Sequence, residues 1–438
     1  MIAGMRLFAV LVAVLFWLAL CLCAAPPTLQ IPAGAESGPT FTVDHATRAY
    51  LDTFKPEQKA RSDNYFEGGY WLQLWDFLLS GAVLILLLAT GISARMRDLA
   101  ERMTTRKPLA TWLYWAQFSV LSFLLGLPWT IYESFFRERQ YGLMNQTFGA
   151  WLVDEGKGLA IGIVLGGLGI MALVGIVRRM PRAWPYAGAG VSIVFLMIGS
   201  LIAPVFLAPM FNKYSLLEDA AVRDPILRIA RQNGIPATNV YQVDASRQSN
   251  RVSANVSGFL GTERITLNDN LLRRSSPQAI MAVMGHEMGH YVLNHVYKMM
   301  AFQTILIVGF FAALRAMLDG ALARYGARWG LRGVTDTAAL PLALLILSLI
   351  GFVATPIQNT LVRTQEYEAD IFGLNTSRQP DGFAEAALML GEYRKLEPGP
   401  WEEILFFDHP SGRTRIHAAM RWKAENQCGS TAVNPCAR

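Results

Sequence analysis

The sequence predicts a mainly α-helical, polytopic membrane protein that carries a small α+β domain. Of its 438 residues, 53% are apolar and only 16% are charged, whereas about 25% are charged in a typical soluble domain. Uncharged apolar runs recur along the chain, and several reach the ~20 residues that a helix needs to cross a bilayer. A more polar stretch, residues 213–298, interrupts these runs and shows the shorter helix and strand patterns of a folded domain.

Seven candidate spans follow from the apolar runs. They lie at residues 7–25, 77–94, 108–132, 158–177, 183–212, 299–314 and 337–362. The first is interpreted as a retained helix or as a cleaved signal peptide. In the fourth, a glycine recurs every four residues and predicts a close helix–helix contact, at Gly158, Gly162 and Gly166. The chain thus divides into a membrane region, a polar domain, two further spans and a C-terminal part that completes the domain, at residues 1–212, 213–298, 299–363 and 364–438.

The arginines near the span ends predict the orientation. The loops after the second, fourth and sixth spans are rich in arginine and share one side by parity, which the positive-inside rule assigns to the cytoplasm. The polar domain is then expected on the non-cytoplasmic side. Cys428 and Cys436 would form a disulfide in an oxidising compartment, with two free thiols as the alternative. Because topology accounts for the net charge of +6, the bilayer is the expected partner and nucleic acid is not.

Three local patterns precede the main helix of the polar domain. Residues 224–233 predict a short amphipathic helix with Asp224 as its N-cap and Pro225 at its first position. Residues 239–243 predict a strand. A strand pair around a Gly-Thr turn is predicted at residues 252–259 and 264–267.

The main helix of this domain contains the sequence HEMGH. Ser276 and Pro277 provide its N-cap and first position. His286 and His290 lie at i and i+4, so both imidazoles project from one helix face, at a spacing that can hold one Zn²⁺. Glu287 projects beside them, where it can take a proton from a metal-activated water. The alternative is a solvated helix face that matches the short motif by chance.

A third ligand must come from elsewhere in the chain. A third histidine would be expected at position 296, which is Val296, and His295 falls one residue short. The remaining option is a glutamate on a separate helix. Glu366 and Asp370 share a helix face, so one could bind the metal while the other accepts a hydrogen bond from a ligand imidazole. A solvated acidic helix face is the alternative for this stretch.

Two further histidines have ordinary interpretations from their local sequence. His295 is interpreted as a helix-end histidine, whose positive charge suits the helix dipole. His409 lies near a turn, where a lone histidine is usually a surface residue and only sometimes catalytic.

Several motifs together resemble the CAAX prenyl protease type I (sterile-protein protease) family of integral-membrane zinc endopeptidases. The resemblance extends from about residue 50 to residue 417. It rests on ERQYGLMNQT at residues 138–147, APMFNK at residues 208–213, the HEMGH helix, QEYEAD at residues 365–370, and DHP at residues 408–410 followed by Arg415.

The resemblance implies roles for individual residues. It implies one Zn²⁺ per chain, on His286, His290 and Glu366, with Glu287 as the general base. Asp370 and Arg415 are implied to support the ligands, and His409 to steady the oxyanion of the tetrahedral intermediate. The implied architecture is a barrel of seven helices around an intramembrane chamber, capped by the zinc domain.

One stretch departs from the family pattern. The family's prenyl proteases carry an Asn-Ala pair on the strand that aligns the substrate, where this chain has Ser253 and Ala254, with Asn255 one residue further on. We expect these three residues to bind substrate, because a strand edge binds peptide through its main chain. The expected partners are peptides or proteins, lipidated or membrane-associated. The substrate itself stays open between prenylated proteins and quality-control or general proteolysis.

The sequence therefore predicts a membrane-embedded zinc metalloendopeptidase of the HExxH-plus-Glu (gluzincin) type. The alternative is a polytopic transporter-like or partner protein with a structural zinc site. The predicted spans carry almost no ionisable group at mid-membrane, where transport sites usually have them. No cysteine lies near the motif to close a structural site. Both observations favour the enzyme.

Overall fold

A computed structural model of the protein describes residues 27–257 and 263–427. The predicted span at residues 7–25, the predicted turn at Gly261 and Thr262, and all four cysteines lie outside the described residues. The helices and strands are α1 (Val43–Asp52), α2 (Pro56–Ala89), α3 (Ile92–Met103), α4 (Lys107–Gln140), α5 (Phe148–Arg179), α6 (Trp184–Met210), β1 (Tyr214–Leu216), α7 (Ala220–Gln232), β2 (Val240–Val243), β3 (Ala254–Ser257), β4 (Arg264–Asn268), α8 (Asp269–Arg274), α9 (Pro277–Val292), α10 (His295–Tyr325), α11 (Leu340–Ser377), α12 (Pro380–Leu390), α13 (Pro400–Phe406) and α14 (Gly412–Asn426).

Six helices of the described chain are long and apolar enough to cross a bilayer, namely α2, α4, α5, α6, α10 and α11. They correspond to the predicted second to seventh spans and confirm them. These six helices contact one another in a closed ring, in the order α2, α4, α5, α6, α10, α11 and back to α2. Large apolar side chains of these helices are exposed, such as Val194, Met197 and Val353, which suits helices in contact with lipid. The ring is consistent with the chamber that the resemblance implied.

The arginine-rich loops meet at one end of this ring. The Arg332 guanidinium donates to Asp98 at 2.8 Å and to Glu101 at 2.8 Å, which joins the loop after α10 to helix α3. Arg178, at the end of α5, donates to the carbonyl of Thr335 at 3.3 Å. Three loops that parity assigned to one side therefore contact one another directly.

Of the three glycines predicted to form a close contact in the fourth span, Gly166 does so and the other two do not. A Cβ on Gly158 or Gly162 would meet nothing within 4 Å, so these two glycines are not required for close packing. A Cβ on Gly166 would lie 2.8 Å from the Trp115 ring, and Trp115 donates its indole N–H to the carbonyl of Gly162 at 3.0 Å. Bulky indole rings of α4, rather than a second small-residue face, set the contact with α5.

The polar domain is built on a four-stranded sheet in the order β1-β2-β4-β3. β2 and β4 are parallel, while β1 and β3 add antiparallel strands at the two edges. The sheet confirms the predicted strands and adds β1, which is too short for a sequence pattern. Helices α7 and α9 pack on the sheet through a buried apolar cluster that includes Ile226, Ile265, Leu267, Met284 and Met288. Each such side chain contributes about 1.5–3 kcal/mol by leaving water.

Helix α7 begins five residues earlier than the sequence predicted. Asp219, not Asp224, is the N-cap, and its carboxylate accepts the backbone N–H of Ala221 at 2.9 Å. Pro225 therefore lies inside the helix, at its sixth residue by position. The carboxylate of Asp219 can accept from the free N–H groups of the first helical turn as well as that of Asp224 could. The Asp224-Pro225 pair therefore did not decide where α7 begins.

The segment before α2 packs on the C-terminal helices. Phe41 and Tyr50 are buried in one apolar cluster with Ile416 and Trp422. Tyr50 donates to Asp381 at 2.8 Å, and Lys423 binds the same carboxylate at 2.7 Å. This buried charge pair links α1, α12 and α14, so the segment before α2 completes the C-terminal part of the structure.

Candidate metal centre

Helices α9 and α11 pack backbone against backbone where their chemically active residues lie. A Cβ on Gly373 would lie 2.7 Å from the backbone nitrogen of His286, and one on Gly285 would lie 2.9 Å from the carbonyl oxygen of Gly373. Gly289 makes a similar approach to Ala369. Because only glycine permits this separation, the two helices present their side chains to one common point.

Three predicted metal ligands converge at that point. His286 Nε2 and His290 Nε2 lie 3.1 Å apart, and each lies within 3.4 Å of a carboxylate oxygen of Glu366. One ligand atom from each residue lies within 4.8 Å of the other two. Glu366 Oε2 is buried and has no hydrogen-bond partner in the described chain, which leaves it free to bind a cation.

The other imidazole nitrogen of His286 is held by a buried ion pair. His286 Nδ1 lies 2.8 Å from Asp370 Oδ1, and Asp370 is fully buried. The Arg415 guanidinium binds both oxygens of Asp370, with its Nε donating at 2.9 Å. With its proton on Nδ1, His286 directs the lone pair of Nε2 at the common point.

His290 is held by two residues for which no such role was predicted. His290 Nδ1 lies 2.9 Å from His295 Nδ1, and His295 Nε2 lies 3.1 Å from Glu368 Oε2. Lys298 donates to the same Glu368 oxygen at 2.7 Å. His295 is buried and contacts His290, which the interpretation as a helix-end histidine did not include. A proton on His290 Nδ1 donated to His295 also directs a lone pair of His290 Nε2 at the common point.

The two histidines of the motif differ in their affinity for a proton. Burial opposes the charge on His286, but the adjacent carboxylates of Asp370 and Glu366 outweigh it and raise its pKa to about 9. Burial and the adjacent charge of His286 lower the pKa of His290 to about 4. The cluster therefore holds one proton at neutral pH, mainly on His286, which a bound cation would replace.

Glu287 and His409 stand beside the three ligands. Glu287 is half-buried, and burial raises the pKa of its carboxyl to about 7. His409 Nε2 lies 3.3 Å from Glu366 Oε2, and its Nδ1 lies 2.8 Å from Asp408 Oδ1. Both side chains line a cavity of about 210 Å³ together with His286 and Glu366. A carboxyl with a pKa near neutrality suits proton transfer in both directions.

Two family models match the chain in adjoining segments. The model of the CAAX prenyl protease N-terminal region, with five membrane helices, matches residues 43–213. The model of peptidase family M48 matches residues 216–423, which include every candidate ligand. The chain belongs to peptidase family M48. It is a multi-pass membrane metallopeptidase that resembles the CAAX prenyl proteases, and its substrates are peptides or proteins.

Individual relatives agree with this assignment. Uncharacterized metalloprotease YhfN of Bacillus subtilis is 27% identical over 83% of this chain and 86% of its own. CAAX prenyl protease 1 homolog of Oryza sativa is 28% identical over 73% of each chain. The crystal structure of S. mikatae Ste24p superposes with a TM-score of 0.71 at 21% identity, over 85% of the peptidase and 93% of Ste24p. The structural match shows a shared fold. A transporter-like or partner protein with a structural zinc is not favoured.

The family implies a metal, and the residues fit one. Two imidazoles and a carboxylate are a common ligand set of catalytic zinc, which keeps a further position open for water or substrate. Both imidazole Nδ1 atoms are engaged, both Nε2 atoms face inward, and one carboxylate oxygen is buried without a partner.

The cavity beside the ligands forms a cleft under the edge strand β3. Val252, Ser253 and Ala254 line it on one side, and apolar residues of α12 line it on the other, such as Phe383 and Met389. Ser253 and Asn255 are exposed and Ala254 is half-buried. β3 pairs only with β4 in the described residues, so its outer edge is open to another strand. Sequence reasoning did not find the α12 wall, because its alanines and methionine read as ordinary helix core.

Proposed function

We propose that the peptidase is a gluzincin-type zinc endopeptidase in which His286, His290 and Glu366 hold one Zn²⁺ per chain. The observation that carries this proposal is the convergence of two imidazole nitrogens and one carboxylate oxygen within 4.8 Å, beside an open cleft. Nitrogen and oxygen donors in a set of three favour zinc over Mg²⁺ and Ca²⁺, which prefer oxygen ligands alone.

The proposed chemistry assigns a distinct task to each neighbouring residue. When bound, zinc supplies Lewis acidity that polarises a carbonyl and makes water a stronger nucleophile. Glu287 takes the proton from the attacking water and gives it to the leaving amine, for which its pKa of about 7 is suited. Asp370 and Arg415 keep His286 in the tautomer whose Nε2 lone pair faces the site.

His409 is proposed to stabilise the oxyanion. Its Nδ1 hydrogen bond to Asp408, at 2.8 Å, fixes the ring so that Nε2 faces Glu366 and the cleft. With protons on both ring nitrogens, His409 would donate from Nδ1 to Asp408 and from Nε2 to an oxygen that gains negative charge during attack. Such donors act only when charge develops, and therefore lower the barrier rather than tighten substrate binding.

The open edge of β3 is proposed to align the substrate. A peptide added as a further strand would hydrogen-bond to the main chain of Ser253, Ala254 and Asn255, and the scissile bond would then face Glu287. Strand addition requires no particular side chain, so the Ser-Ala-Asn sequence is compatible with it. This mode favours extended segments over folded ones.

We propose membrane-associated proteins as the substrates, in quality-control or general proteolysis, with lipidated proteins as one class and no role for nucleic acid. The orientation of the zinc domain supports a class broader than prenylated proteins. The relatives named CAAX prenyl protease share the fold, but the expected outward orientation of the zinc domain would separate it from prenylated proteins in the cytosol. Nucleic acid is not needed to explain the arginines of the loops, because they pair with residues of the chain itself, as Arg332 does with Asp98.

The decisive experiment separates base, ligands and substrate. In purified protein, Glu287→Ala should keep zinc and lose peptide hydrolysis, whereas His286→Ala, His290→Ala and Glu366→Ala should each lose zinc by elemental analysis. More than trace hydrolysis by Glu287→Ala would exclude Glu287 as the base. The substrates would be identified as new peptide termini that appear in membranes with the native chain and not with Glu287→Gln.

The zinc domain is proposed to lie outside the cytoplasm. The arginine-rich loops contact one another at one end of the helix ring, and the positive-inside rule makes that end cytoplasmic. Cys428 and Cys436 allow a direct check. A membrane-impermeant thiol reagent should label them on intact cells, after reduction if they form a disulfide. Labelling only after permeabilisation would place the tail in the cytoplasm and reverse the topology.

A further inference from the structure

Arg394 is a cation at the wall of the active cleft. We infer that Arg394 recognises a carboxylate of the bound peptide, from either the free C-terminus or an Asp or Glu side chain. The inference rests on the proposed peptidase function and deepens it, because it names the chemical group that the cleft selects. It concerns substrate binding and assigns Arg394 no part in proton transfer.

The position of Arg394 follows from the loop between α12 and α13. The residue comes four positions after the end of α12, in residues 391–399, where the chain turns back towards the ligands. Its side chain is half-buried and lines the same cavity as His286, Glu287, Glu366 and His409. A peptide with its scissile bond beside Glu287 would therefore lie within the cavity that Arg394 borders.

The residues on either side of Arg394 are tied to the protein. Tyr393 donates its hydroxyl to the carbonyl of Val252 at 3.4 Å, which holds the loop beside the strand that lines the cleft. Lys395 binds Glu67 at 2.6 Å and Glu402 at 2.9 Å. The loop backbone is thus anchored on both sides of Arg394, and an anchored cation can discriminate between ligands.

The guanidinium of Arg394 has no hydrogen bond or ion pair within the described part of the chain. The other arginine of the cavity, Arg415, is already paired, because its guanidinium binds both oxygens of Asp370. The largest favourable charge acting on Arg394 is that of Asp408, whose carboxylate already accepts a hydrogen bond from His409. Burial lowers the pKa of Arg394, and a half-buried cation without a hydrogen bond gains from an anion that enters the cavity.

Chemistry favours a carboxylate as that anion. A guanidinium presents parallel N–H donors that match the two oxygens of a carboxylate, and this pairing is stronger than a neutral hydrogen bond. A peptide offers carboxylates at its C-terminus and on Asp or Glu side chains. The simpler interpretation is that Arg394 only balances the charge of Asp408. The two interpretations differ in whether substrate affinity depends on a carboxylate.

The test measures binding in a protein that cannot turn substrate over. The probe is a fluorescein-labelled octapeptide of alanine, leucine and glutamine, made as the C-terminal acid and as the C-terminal amide. A third set consists of amides in which one glutamate is scanned through every position. Binding to the zinc-loaded Glu287→Ala protein in lipid nanodiscs is followed by fluorescence anisotropy. Hydrolysis of the same peptides by the native chain tests the proposed function separately.

We expect the best carboxylate peptide to bind about ten- to hundredfold more tightly than the plain amide. If the C-terminus is recognised, only the acid binds tightly; if a side chain is recognised, one glutamate position restores binding to the amide. Arg394→Gln, in the same background, should abolish the difference. Arg394→Lys should keep part of it, because lysine retains the charge but not the two-pronged geometry.

Arg421→Gln is the matched control. Arg421 is an exposed arginine on α14 that pairs with Glu425, and its loss changes the net charge equally without touching the cleft. Equal binding of acid, amide and all glutamate peptides would overturn the inference, as would an equal effect of Arg394→Gln and Arg421→Gln, or no binding of any peptide. If Arg394→Gln does not fold, the peptide series on the Arg394 protein and on Arg394→Lys still decides the question.

Discussion

His290 Nδ1 lies 2.9 Å from His295 Nδ1, so a proposed metal ligand is oriented by a second histidine five residues later. His295 in turn contacts Glu368, which Lys298 also binds. His286 has a different support, the ion pair between Asp370 and Arg415. The two imidazoles that face one metal are therefore fixed by separate sets of residues. The pair that holds His286 is buried, whereas the set that holds His290 ends at Glu368 on the exposed side of α11.

Replacement of His295 should weaken metal binding without abolishing it. In His295→Ala, His290 loses the partner that fixes its ring and tautomer, so zinc affinity should fall by about 10–100-fold. Zinc should still co-purify with the protein, unlike in Glu366→Ala. Competition against a chelator measures the affinity. His295→Gln should recover part of it, because the amide can accept from His290 and donate to Glu368. Equal affinity of His295→Ala and the native chain would contradict this assignment.

Replacement of Gly373 should separate the two ligand-bearing helices. The added methyl of Gly373→Ala would lie 2.7 Å from the backbone nitrogen of His286, and overpacking of this kind costs about 1–3 kcal/mol. The variant should melt at lower temperature and bind zinc more weakly, as thermal unfolding and chelator competition would show. Gly351→Ala, on the same helix, is the control because its Cβ meets nothing within 4 Å. Equal behaviour of the two variants would rule out the close contact.

Zinc affinity should rise with pH until about pH 9. The pKa of His286 is raised to about 9, so the metal-free chain carries a proton there at neutral pH that zinc must displace. Each displaced proton makes the apparent affinity rise about tenfold per pH unit below that pKa. His290, with a pKa of about 4, adds nothing near neutrality.

Zinc titrations of chelator-stripped protein at several pH values would measure this slope. Glu287→Ala should keep the slope, because the proton in question is on His286 and not on the base. An affinity that is flat between neutrality and the pKa of His286 would show that zinc displaces no proton from that residue.

Replacement of His409 should reduce turnover while the metal stays bound. Removal of one oxyanion donor typically lowers kcat by about 10²–10³-fold, and His409 is not among the three proposed ligands. The expected result for His409→Ala is normal zinc content, a similar KM and a much lower kcat. His417→Ala is the control, since His417 is half-exposed on α14 and lies near Asp44. A drop in zinc content would instead make His409 a ligand.

Local sequence determined the elements and the chemistry of the peptidase. Apolar runs located six spans of the described chain, because a bilayer demands length and lack of charge from each helix by itself. The i, i+4 spacing of His286 and His290 placed both on one face of α9, since helix geometry is fixed within a single turn. The choice of Glu366 as third ligand came from the family resemblance, because spacing alone left Glu366 and Asp370 open.

Only the tertiary structure decided what surrounds those residues. The contact of His295 with His290, the approach of Gly373 to His286 and the place of Arg394 in the cleft all join elements that are distant in sequence or separated by a turn. The local sequence around a glycine, histidine or arginine at such a position does not differ from that around the same residue in a loop or on a surface. Burial and partners give them their roles, and both arise only when α9, α11, α12 and the loop after α12 pack together.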